Sequence, residues 1–424
     1  MDLSTVAQFN LGQKLGQLRA RAVSLGEGRS PGVLVVYGAD FDVDPYAEMF
    51  FFPTDTLKLA LLTVEGELLW KRDLGPGVVP GQWFCPLCAF DLDGNGVDEI
   101  WFVNNVNSAH PLGLSGYRLE RLDALTGETT GQWPWPCRNH YQPLSELFRN
   151  FILGGRVHDE PVLVTAQGTY GDMFFQAWRP DMQPRWEHQV AKTDGGARGS
   201  HMAPVVDLND DGVDELLWGE RCIELDTGTE LFCADRDTWA GHSDVIWPFR
   251  DDASGRYFIF TTRESGTGKT NWPRVALYDD MGRRVWGDLE YGHMDMGWVA
   301  RLGEDRRHVA MAIRIGHKTC GADGRHHFNR EEFVYDALTG APVELPFEVY
   351  GTRPVDLDND GYDELVRGIP GGDGRVIDRF GNEIGDVGGP VALIGSFCDL
   401  PGEQILSYHE DGHVRIWADG QASA

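Results

Sequence analysis

The sequence predicts an all-β propeller of eight blades, with seven as the alternative count. Two recurring elements carry that prediction. The first is an acidic loop written four times: DFDVDPYAE (40–48), DLDGNGVDE (91–99), DLNDDGVDE (207–215) and DLDNDGYDE (356–364). The second is a strand, a turn of Asp, Asn or Gly, and a strand carrying Trp or another apolar residue. It recurs at 61–70, 121–133, 177–186, 223–232, 276–286, 334–345, 376–385 and 414–420. An acidic loop, or a remnant of one at 158–164, 251–260, 304–313 or 399–408, precedes each copy. Units of roughly forty to sixty residues made only of strand and turn mean a propeller or a solenoid.

Composition agrees with each element. The units are rich in the strand formers Val, Ile, Phe, Trp and Tyr, and 53 glycines suit tight hairpins. With 424 residues, 42% of them hydrophobic, the chain can bury a large core. No linker or low-complexity tract divides it, so 1–424 reads as a single propeller domain. The last unit has no evident outer strand, and residues 1–38 are expected to supply one and close the ring. Only 11–20 and 141–150 carry a helical pattern.

The net charge of −29 argues against nucleic acid as a partner, because affinity there comes from neutralising phosphates. No apolar run is long enough for a membrane helix, so no membrane partner is expected. Seven cysteines do not make a disulfide framework. Cys85 and Cys88 form a lone C-x-x-C that reads as structural, whereas Cys222 and Cys233 flank a DTG turn symmetrically and admit a hairpin disulfide. The first residues lack the pattern of a signal peptide. A cytoplasmic location is expected as written, and a secreted or periplasmic one if a leader has been removed.

Each acidic loop offers oxygen side chains at positions 1, 3 and 5, a backbone carbonyl at 7 and Glu at 9. That spacing suits a hard cation such as Ca²⁺. The expected ligands are Asp40, Asp42, Asp44 and Glu48; Asp91, Asp93, Asn95 and Glu99; Asp207, Asn209, Asp211 and Glu215; and Asp356, Asp358, Asp360 and Glu364. The Glu runs into MFFF, IWFV, LLWG or LVRG, which read as strand starts, so this is not an EF-hand. FG-GAP-like integrin repeats share such loops. Their expected role is to rigidify inter-strand turns. The first loop departs from the pattern, with Pro45 where Gly is usual and Ala47 at position 8.

Chemistry is expected where blade connections meet at one mouth of the central channel. WAGHSDVIW (239–247) and EYGHMDMGW (290–298) both read Gly-His-x-Asp followed by Trp. Residues two apart on an extended segment share a face. His242 with Asp244, and His293 with Asp295, can then bind one metal or serve as polarised bases; the blander alternative is a polar seam between blades. Residues 301–330 gather Arg301, Arg306, Arg307, His308, Arg314, His317, Lys318, Arg325, His326, His327 and Arg330 against Glu304, Asp305 and Asp323. Such an island suits an anionic ligand gripped by arginine forks, or is simply a set of solvated loop charges. His201 in GSHMAP and Tyr170 in GTYGD are expected to face the channel. Trp133, Trp135, Trp247, Trp272 and Trp298 are candidates for stacking on sugar rings, though propeller tryptophans mostly pack between blades. No nucleophile elbow, P-loop or dinucleotide fingerprint occurs in its required setting.

The order of these segments resembles the catalytic propeller of rhamnogalacturonan lyases, polysaccharide lyase family 11. The likeness is carried by LLWKRDLG with FDLDGNGVDEI (68–100), GTYG (168–171), GSHMAPVVDLNDDGVDELLWG (199–219), GHSD (241–244) and GSFCDLPGEQIL (395–406). It implies eight blades, several Ca²⁺ loops, and His201 and His242 beside a substrate cleft and a bound cation, with Asp244 as neighbour. The family's additional N-terminal β-domain is not among these residues, the third-loop hairpin is shorter, and the 301–330 basic loop does not align with the family.

The expected function is β-elimination of a rhamnogalacturonan-like, uronic-acid-containing polysaccharide or oligosaccharide. The uronate carboxylate must be neutralised so that the C5 proton becomes acidic. Arg301, Arg314, Arg353 or a cation on His201 and His242 is expected to do this. A base, His293, His317 or Tyr170, takes the proton, and a protonated His or Tyr donates to the leaving oxygen. Asp295, His326, His327 and Trp298 complete the expected substrate contacts. The alternatives are a non-catalytic Ca²⁺-dependent propeller that binds glycan or protein, and a glycoside hydrolase working through acids such as Asp244 and Asp295.

Overall fold

The computed structural model describes residues 2–107, 110–136, 143–264, 273–320 and 326–421. Eight antiparallel sheets follow one another around an axis. Blade 1 is Gln17–Val23, Gly32–Gly38, Lys58–Thr63 and Leu68–Asp73, from inside out; blade 2 is Leu87–Phe90, Glu99–Asn105, Tyr117–Asp123 and Thr129–Pro134. Blade 3 is Asn150–Val157, Glu160–Gln167, Met173–Trp178 and Pro184–Val190; blade 4 is Val205–Val206, Glu215–Trp218, Arg221–Glu224 and Glu230–Cys233. Blade 5 is Ser243–Arg250, Tyr257–Arg263, Val275–Asp279 and Arg284–Asp288. Blade 6 has His293–Arg301, His308–Ile315 and Arg330–Asp336, with the small hairpin Thr319–Cys320 and His326–His327 projecting from it. Blade 7 is Thr352–Val355, Glu364–Arg367, Arg375–Ile377 and Glu383–Asp386. Blade 8 is Val391–Gly395, Gln404–Tyr408 and His413–Asp419, with Leu3–Asn10 from the other end of the chain as its outer strand.

Burial follows radius. Second strands lie between neighbouring blades and are apolar on both faces, as in GVLVVYG, which is buried throughout. Outer strands meet water and expose alternate residues, as in LLWKRD.

The Trp of the repeated hairpin has a defined job. Trp70 donates Nε1–H to the carbonyl of Ala124 (2.7 Å), Trp186 to Leu225 (2.7 Å) and Trp286 to Ala337 (2.9 Å). In each case the outer-strand indole of one blade lies on the hairpin turn of the next. The turn residues beneath are Gly127, Gly228 and Gly340, all with φ near +70°; a Cβ there would fall 2.5 to 2.7 Å from the indole. Glycine is therefore required twice over, for its backbone and for its lack of a side chain. Phe232 on Gly282 and Phe347 on Gly381 repeat the contact.

Several expectations change. Residues 11–20 are not helical: a strand starts at Gln17, and the only turn of α-helix among the described residues is Leu144–Leu147. Cys222 and Cys233 are both free. Register pairs Cys222 with Phe232 and Arg221 with Cys233, so the one-residue offset sends the two thiols to opposite faces of the sheet. Trp298 is buried and donates to Thr352 Oγ1 (3.2 Å), so it packs between blades 6 and 7.

Chain polarity gives the ring two unlike faces. Loops joining first and second strands lie on one face, and these include 91–99, 207–215 and 356–364. Loops joining second and third strands, and the links between blades, lie on the other. The first acidic loop belongs to that second face, because it joins the second and third strands of blade 1, and residues 48–57 after it form no strand. Its spacing matches the other three loops but its setting does not.

Replacing Gly228 by Ala should lower stability by about 2 kcal/mol through overpacking against Trp186. Thermal unfolding checks this, and the loss should shrink in a Trp186→Ala background, where room has been made.

Candidate functional site

The second face carries the convergent chemistry. Blade 5 and blade 6 each begin with the Gly-His-x-Asp motif, and each has a β-bulge at its Asp. The ladder slips between Ser243 and Val245, leaving Asp244 unpaired, and between Met294 and Met296, leaving Asp295 unpaired. A bulge bends the strand and re-aims the extra side chain. Here it turns both carboxylates into the mouth of the channel.

The link from blade 3 into blade 4 lies alongside this segment. Ser200 bridges Ser243 in parallel, and the His201 N–H donates to the Ser243 carbonyl (3.3 Å). Beneath them Ser243 Oγ donates to Glu220 (2.8 Å), which also accepts from Arg263 (2.8 Å); both members of this ion pair are fully buried. Tyr170, in the loop between the second and third strands of blade 3, has φ +69°, a conformation that disfavours side chains and is held by its N–H bond to the Arg198 carbonyl (3.0 Å).

These segments assemble a compact cluster. Asp244 Oδ2 lies 3.0 Å from His293 Nε2. Asp244 Oδ1 lies 3.6 Å from His201 Nδ1 and 3.9 Å from His242 Nε2, and it has no hydrogen-bond partner; neither has His242 Nε2, which is buried. His293 Nε2 is also 3.5 Å from Glu264 and 3.4 Å from Asp295. Lys318 Nζ donates to Asp295 (2.9 Å). The Tyr170 hydroxyl donates to Glu264 (3.4 Å) and lies 3.5 Å from His201 Nε2, while its ring stacks on His242 (centroids 4.2 Å apart). Arg149 covers Tyr170 and Trp83 and pairs with Asp44 (3.2 Å), which ties the first acidic loop to the site.

The cluster has two layers. His242, Asp244 and Arg149 are almost wholly buried, with side chains 1%, 2% and 4% exposed. His201 and Lys318 are 35% exposed, His293 25%, Glu264 22% and Asp295 21%. A ligand can touch the second group and is served indirectly by the first.

Burial dominates the electrostatics. It pushes the Asp244 carboxyl well up, helped by the charge of Asp295, and raises Glu264 to about 7, helped by Asp244. It holds His201 and His242 well below the usual imidazole range and lowers His293 against the pull of Glu264 and Asp295. Tyr170 is raised, so its hydroxyl stays protonated. Neutral imidazoles are metal-ligating groups in their ligating state, and the Asp244 carboxyl joins them on losing its proton to a bound cation. The nearest donor atoms of His201, His242 and Asp244 lie within 4.8 Å of one another, as do those of Asp244, Glu264 and His293.

Other expected residues lie elsewhere. His317 is exposed beside Lys318, with no hydrogen bond to the cluster. Arg314 pairs with Glu331 and lies over Tyr291 and Phe333, on the flank of blade 6. Arg301 stands at the far end of its strand, near Asp252 and Asp363 on the opposite face. The basic stretch 301–330 is thus no single island: strand His308–Ile315 crosses the molecule and divides it between the faces. Arg353 lines the channel, where a cavity of about 710 Å³ extends from Asp295 past Trp247 and Trp298 to Arg301 and Glu403. His327 lies on the projecting hairpin. Trp272, Arg325 and the His326 side chain lie outside the described residues. Sequence reasoning did not single out Glu264 or Arg149 and gave Lys318 no separate role. None belongs to a repeated motif, and only the meeting of blades 1, 3, 5 and 6 gives them meaning.

Asp244→Asn should leave the protein no less stable than the original in chelator-containing buffer, because an uncompensated buried carboxylate costs stability. Thermal unfolding decides; a fall of several degrees would make the carboxylate a structural group instead.

Comparison with known proteins follows the same lines. No family model matches the chain. It is 26% identical to the rhamnogalacturonan exolyase YesX of Bacillus subtilis (strain 168) over 275 residues, which are 54% of this chain and 43% of that protein. It is 22% identical to the rhamnogalacturonan endolyase YesW of the same strain over 272 residues, again 54% and 43%. The match therefore spans less than half the length of these curated relatives. The YesW crystal structure superposes with a TM-score of 0.74 over 98% of this chain and 74% of that one, at 17% identity. The Bacillus licheniformis rhamnogalacturonan lyase PL11 gives 0.73 over 98% and 75%, also at 17%. The chain has the fold of these lyases and is a remote relative of the rhamnogalacturonan lyases of polysaccharide lyase family 11.

Proposed function

We propose that the chain is a lyase that cleaves a uronate-containing glycan by β-elimination at this mouth. The observation that carries the reading is the pairing of partly exposed His293 with buried Asp244, beside the Lys318–Asp295 pair. Support also comes from two relatives whose names are those of rhamnogalacturonan lyases.

The chemistry follows from the contacts. Asp244 accepts from His293 Nε2–H and fixes the ring, so that Nδ1 is left as the basic nitrogen, in the manner of a carboxylate-oriented imidazole base. Lys318, kept cationic by Asp295, faces the uronate carboxylate and offsets the charge that grows as the C5 proton leaves. His293 Nδ1 takes that proton. Tyr170, protonated and steered by Glu264, donates to the departing glycosidic oxygen as the C4–O bond breaks and the C4–C5 double bond forms. The acidic glycan also meets Phe41, Tyr46 and Phe52, which are 49%, 48% and 60% exposed on the loop tied to the site through Asp44. Their faces suit the C–H face of a pyranose.

His201, His242 and Asp244 suit a divalent cation. The test is internal: Asp244 Oδ1 and His242 Nε2 are buried, unpartnered and 3.9 Å apart, a juxtaposition that wastes both groups unless something bridges them. A cation held there would polarise the uronate carboxylate as a Lewis acid. On the other face, Asp356, Asp358 and Asp360 bring carboxylate oxygens within 4.8 Å of one another, and Asp356 Oδ1 is buried without a partner. Burial and neighbouring acids push Glu99 and Glu215 to about 7 and Glu364 to about 8. These three loops suit structural Ca²⁺. The first loop does not: Asp44 is committed to Arg149, and Asp40 accepts from the Thr54 and Asp55 N–H groups.

Incubation with rhamnogalacturonan, followed at the ultraviolet absorbance of a 4,5-unsaturated uronate, should give signal. His293→Ala should reduce it by about 10²-fold or more, the usual contribution of a general base, with little change in melting temperature. New reducing ends without that absorbance would make the chain a hydrolase, and neither signal would make it a binding propeller. Separately, chelation should lower the melting temperature and added Ca²⁺ restore it, because ions held only by the folded state stabilise it by mass action. An unchanged transition would remove the ions from the acidic loops.

A further inference from the structure

The inner strands carry arginines that the proposed chemistry does not use. Arg19 and Arg21 extend from the inner strand of blade 1, and Arg353 from that of blade 7. Many arginines of this acidic chain meet carboxylates, as Arg72 meets Glu120, Arg185 meets Glu160 and Asp226, and Arg263 meets Glu220, while Arg118, Arg198 and Arg274 stand singly and donate to carbonyls. Arg19, Arg21 and Arg353 meet only carbonyls. Arg19 donates to Cys85 (3.0 Å), Arg21 to Ala20 (3.0 Å) and Arg353 to Val391 (3.2 Å). Nε and Nη2 of Arg19 are buried with no partner. Among the described residues, no carboxylate lies within ion-pair distance of any of the three.

The three guanidinium groups share one region. Arg353 lines the 710 Å³ cavity and reaches across to Val391, the first residue of blade 8's inner strand. That strand packs against the inner strand of blade 1, which carries Arg21. Arg21 and Arg353 both keep solvent-accessible surface, yet burial lowers the pKa of both; Arg19 adds to this on Arg21, and Arg21 on Arg353. Such a combination belongs to side chains lining a narrow wet channel. The acids nearby are engaged elsewhere: Asp363 accepts from the Arg301 N–H, Glu403 from the Asp356 N–H, and Asp295 from Lys318. Asp42 is within electrostatic reach of Arg19, but burial pushes its carboxyl up to about 6.

Like charges in a confined channel are costly without a counter-charge, and the guanidinium fork is shaped for oxyanions. We propose that Arg21 and Arg353, with Arg19 beside them, form a binding site for a compact oxyanion in the central channel, behind the mouth cluster. The oxyanion is either a free inorganic anion or the carboxylate of a uronate, and the site does not depend on the lyase assignment.

The test is thermal unfolding of the full chain in sodium sulfate, sodium galacturonate or sodium chloride at equal ionic strength. The original protein should show a saturating rise in melting temperature with an oxyanion that chloride does not produce. Arg21→Gln and Arg353→Gln should lose most of that rise while unfolding in chloride no earlier than the original. Arg353→Lys keeps the charge and should lose part of the rise. A response to sulfate assigns the site to free inorganic anions, and a response to galacturonate alone assigns it to the sugar acid. The proposal is overturned if the original and both Gln variants respond equally, which is the general salting effect of sulfate. It is also overturned if the original shows no saturating response, or if the Gln variants unfold early in chloride while keeping the full oxyanion response, which would leave the arginines only their carbonyl contacts.

Discussion

The indole laid across a glycine turn is the contact on which the rest of this molecule depends. It recurs between blades 1 and 2, 3 and 4, and 5 and 6, and Phe substitutes for it elsewhere. Each contact lies far from the axis, where a small change in the angle between blades would become a large displacement at the outer edge. Fixing the rim therefore fixes the inner strands. The ring is then closed by hydrogen bonds between Leu3–Asn10 and His413–Asp419 rather than by one continuous segment. No blade owns the cluster at the mouth: Asp44, Tyr170, Asp244 and His293 come from blades 1, 3, 5 and 6, and Arg149 and His201 from the links that enter blades 3 and 4. Such a cluster is only as well defined as the angular spacing of its blades.

That dependence explains what was legible in the sequence. The eight hairpins were visible because each is local: alternating apolar residues, a turn that needs glycine, and an aromatic residue a few positions later. The duplicated Gly-His-x-Asp segments were visible for the same reason. Simple alternation would have sent His242 and Asp244 to the same side, but Asp244 and Asp295 occupy bulges. Whether a strand bulges depends on its partner's register, which no single segment encodes. Glu264, Arg149 and Lys318 are more extreme cases. Glu264 and Arg149 stand in unremarkable stretches, Lys318 is one of many basic residues in its own, and each gains its role from a neighbour up to 105 positions away, as Arg149 does from Asp44. The first acidic loop is the converse: its spacing matched the pattern, but it turns between different strands and faces the opposite side.

The two faces divide the electrostatic labour. One gathers the acidic turns between inner and second strands, where carboxylates crowd one another. The other gathers imidazoles, a lysine, a tyrosine and partly protonated acids over the channel. Both store unfavourable interactions, but of different kinds. On the first face the crowding is spread over exposed loops and screened by solvent and salt. On the second it is concentrated in Asp244, which is buried between three imidazoles and has one oxygen without a hydrogen-bond partner. Stability alone would replace such a group. Such a group inside a well-supported frame, with the buried Glu220–Arg263 pair holding the strand beneath it, is the pattern expected where a site's chemistry costs stability.

Fold and site then carry different weights in argument. The propeller is shared with lyases at 17% identity, and folds of this kind host many activities. What narrows the choice is the arrangement within the mouth: an imidazole bonded to a buried acid, a lysine held by a second acid, and a tyrosine hydroxyl bonded to a third. A hydrolase would instead need two carboxyl groups facing each other across the scissile bond, one protonated and one charged. Here Asp244 is buried beneath His293, Asp295 is occupied by Lys318, and Glu264 accepts from Tyr170. Every acid in the cluster is engaged in positioning a proton-bearing or cationic neighbour. That disposition suits removing a carbon-bound proton beside a carboxylate better than delivering water to an anomeric carbon.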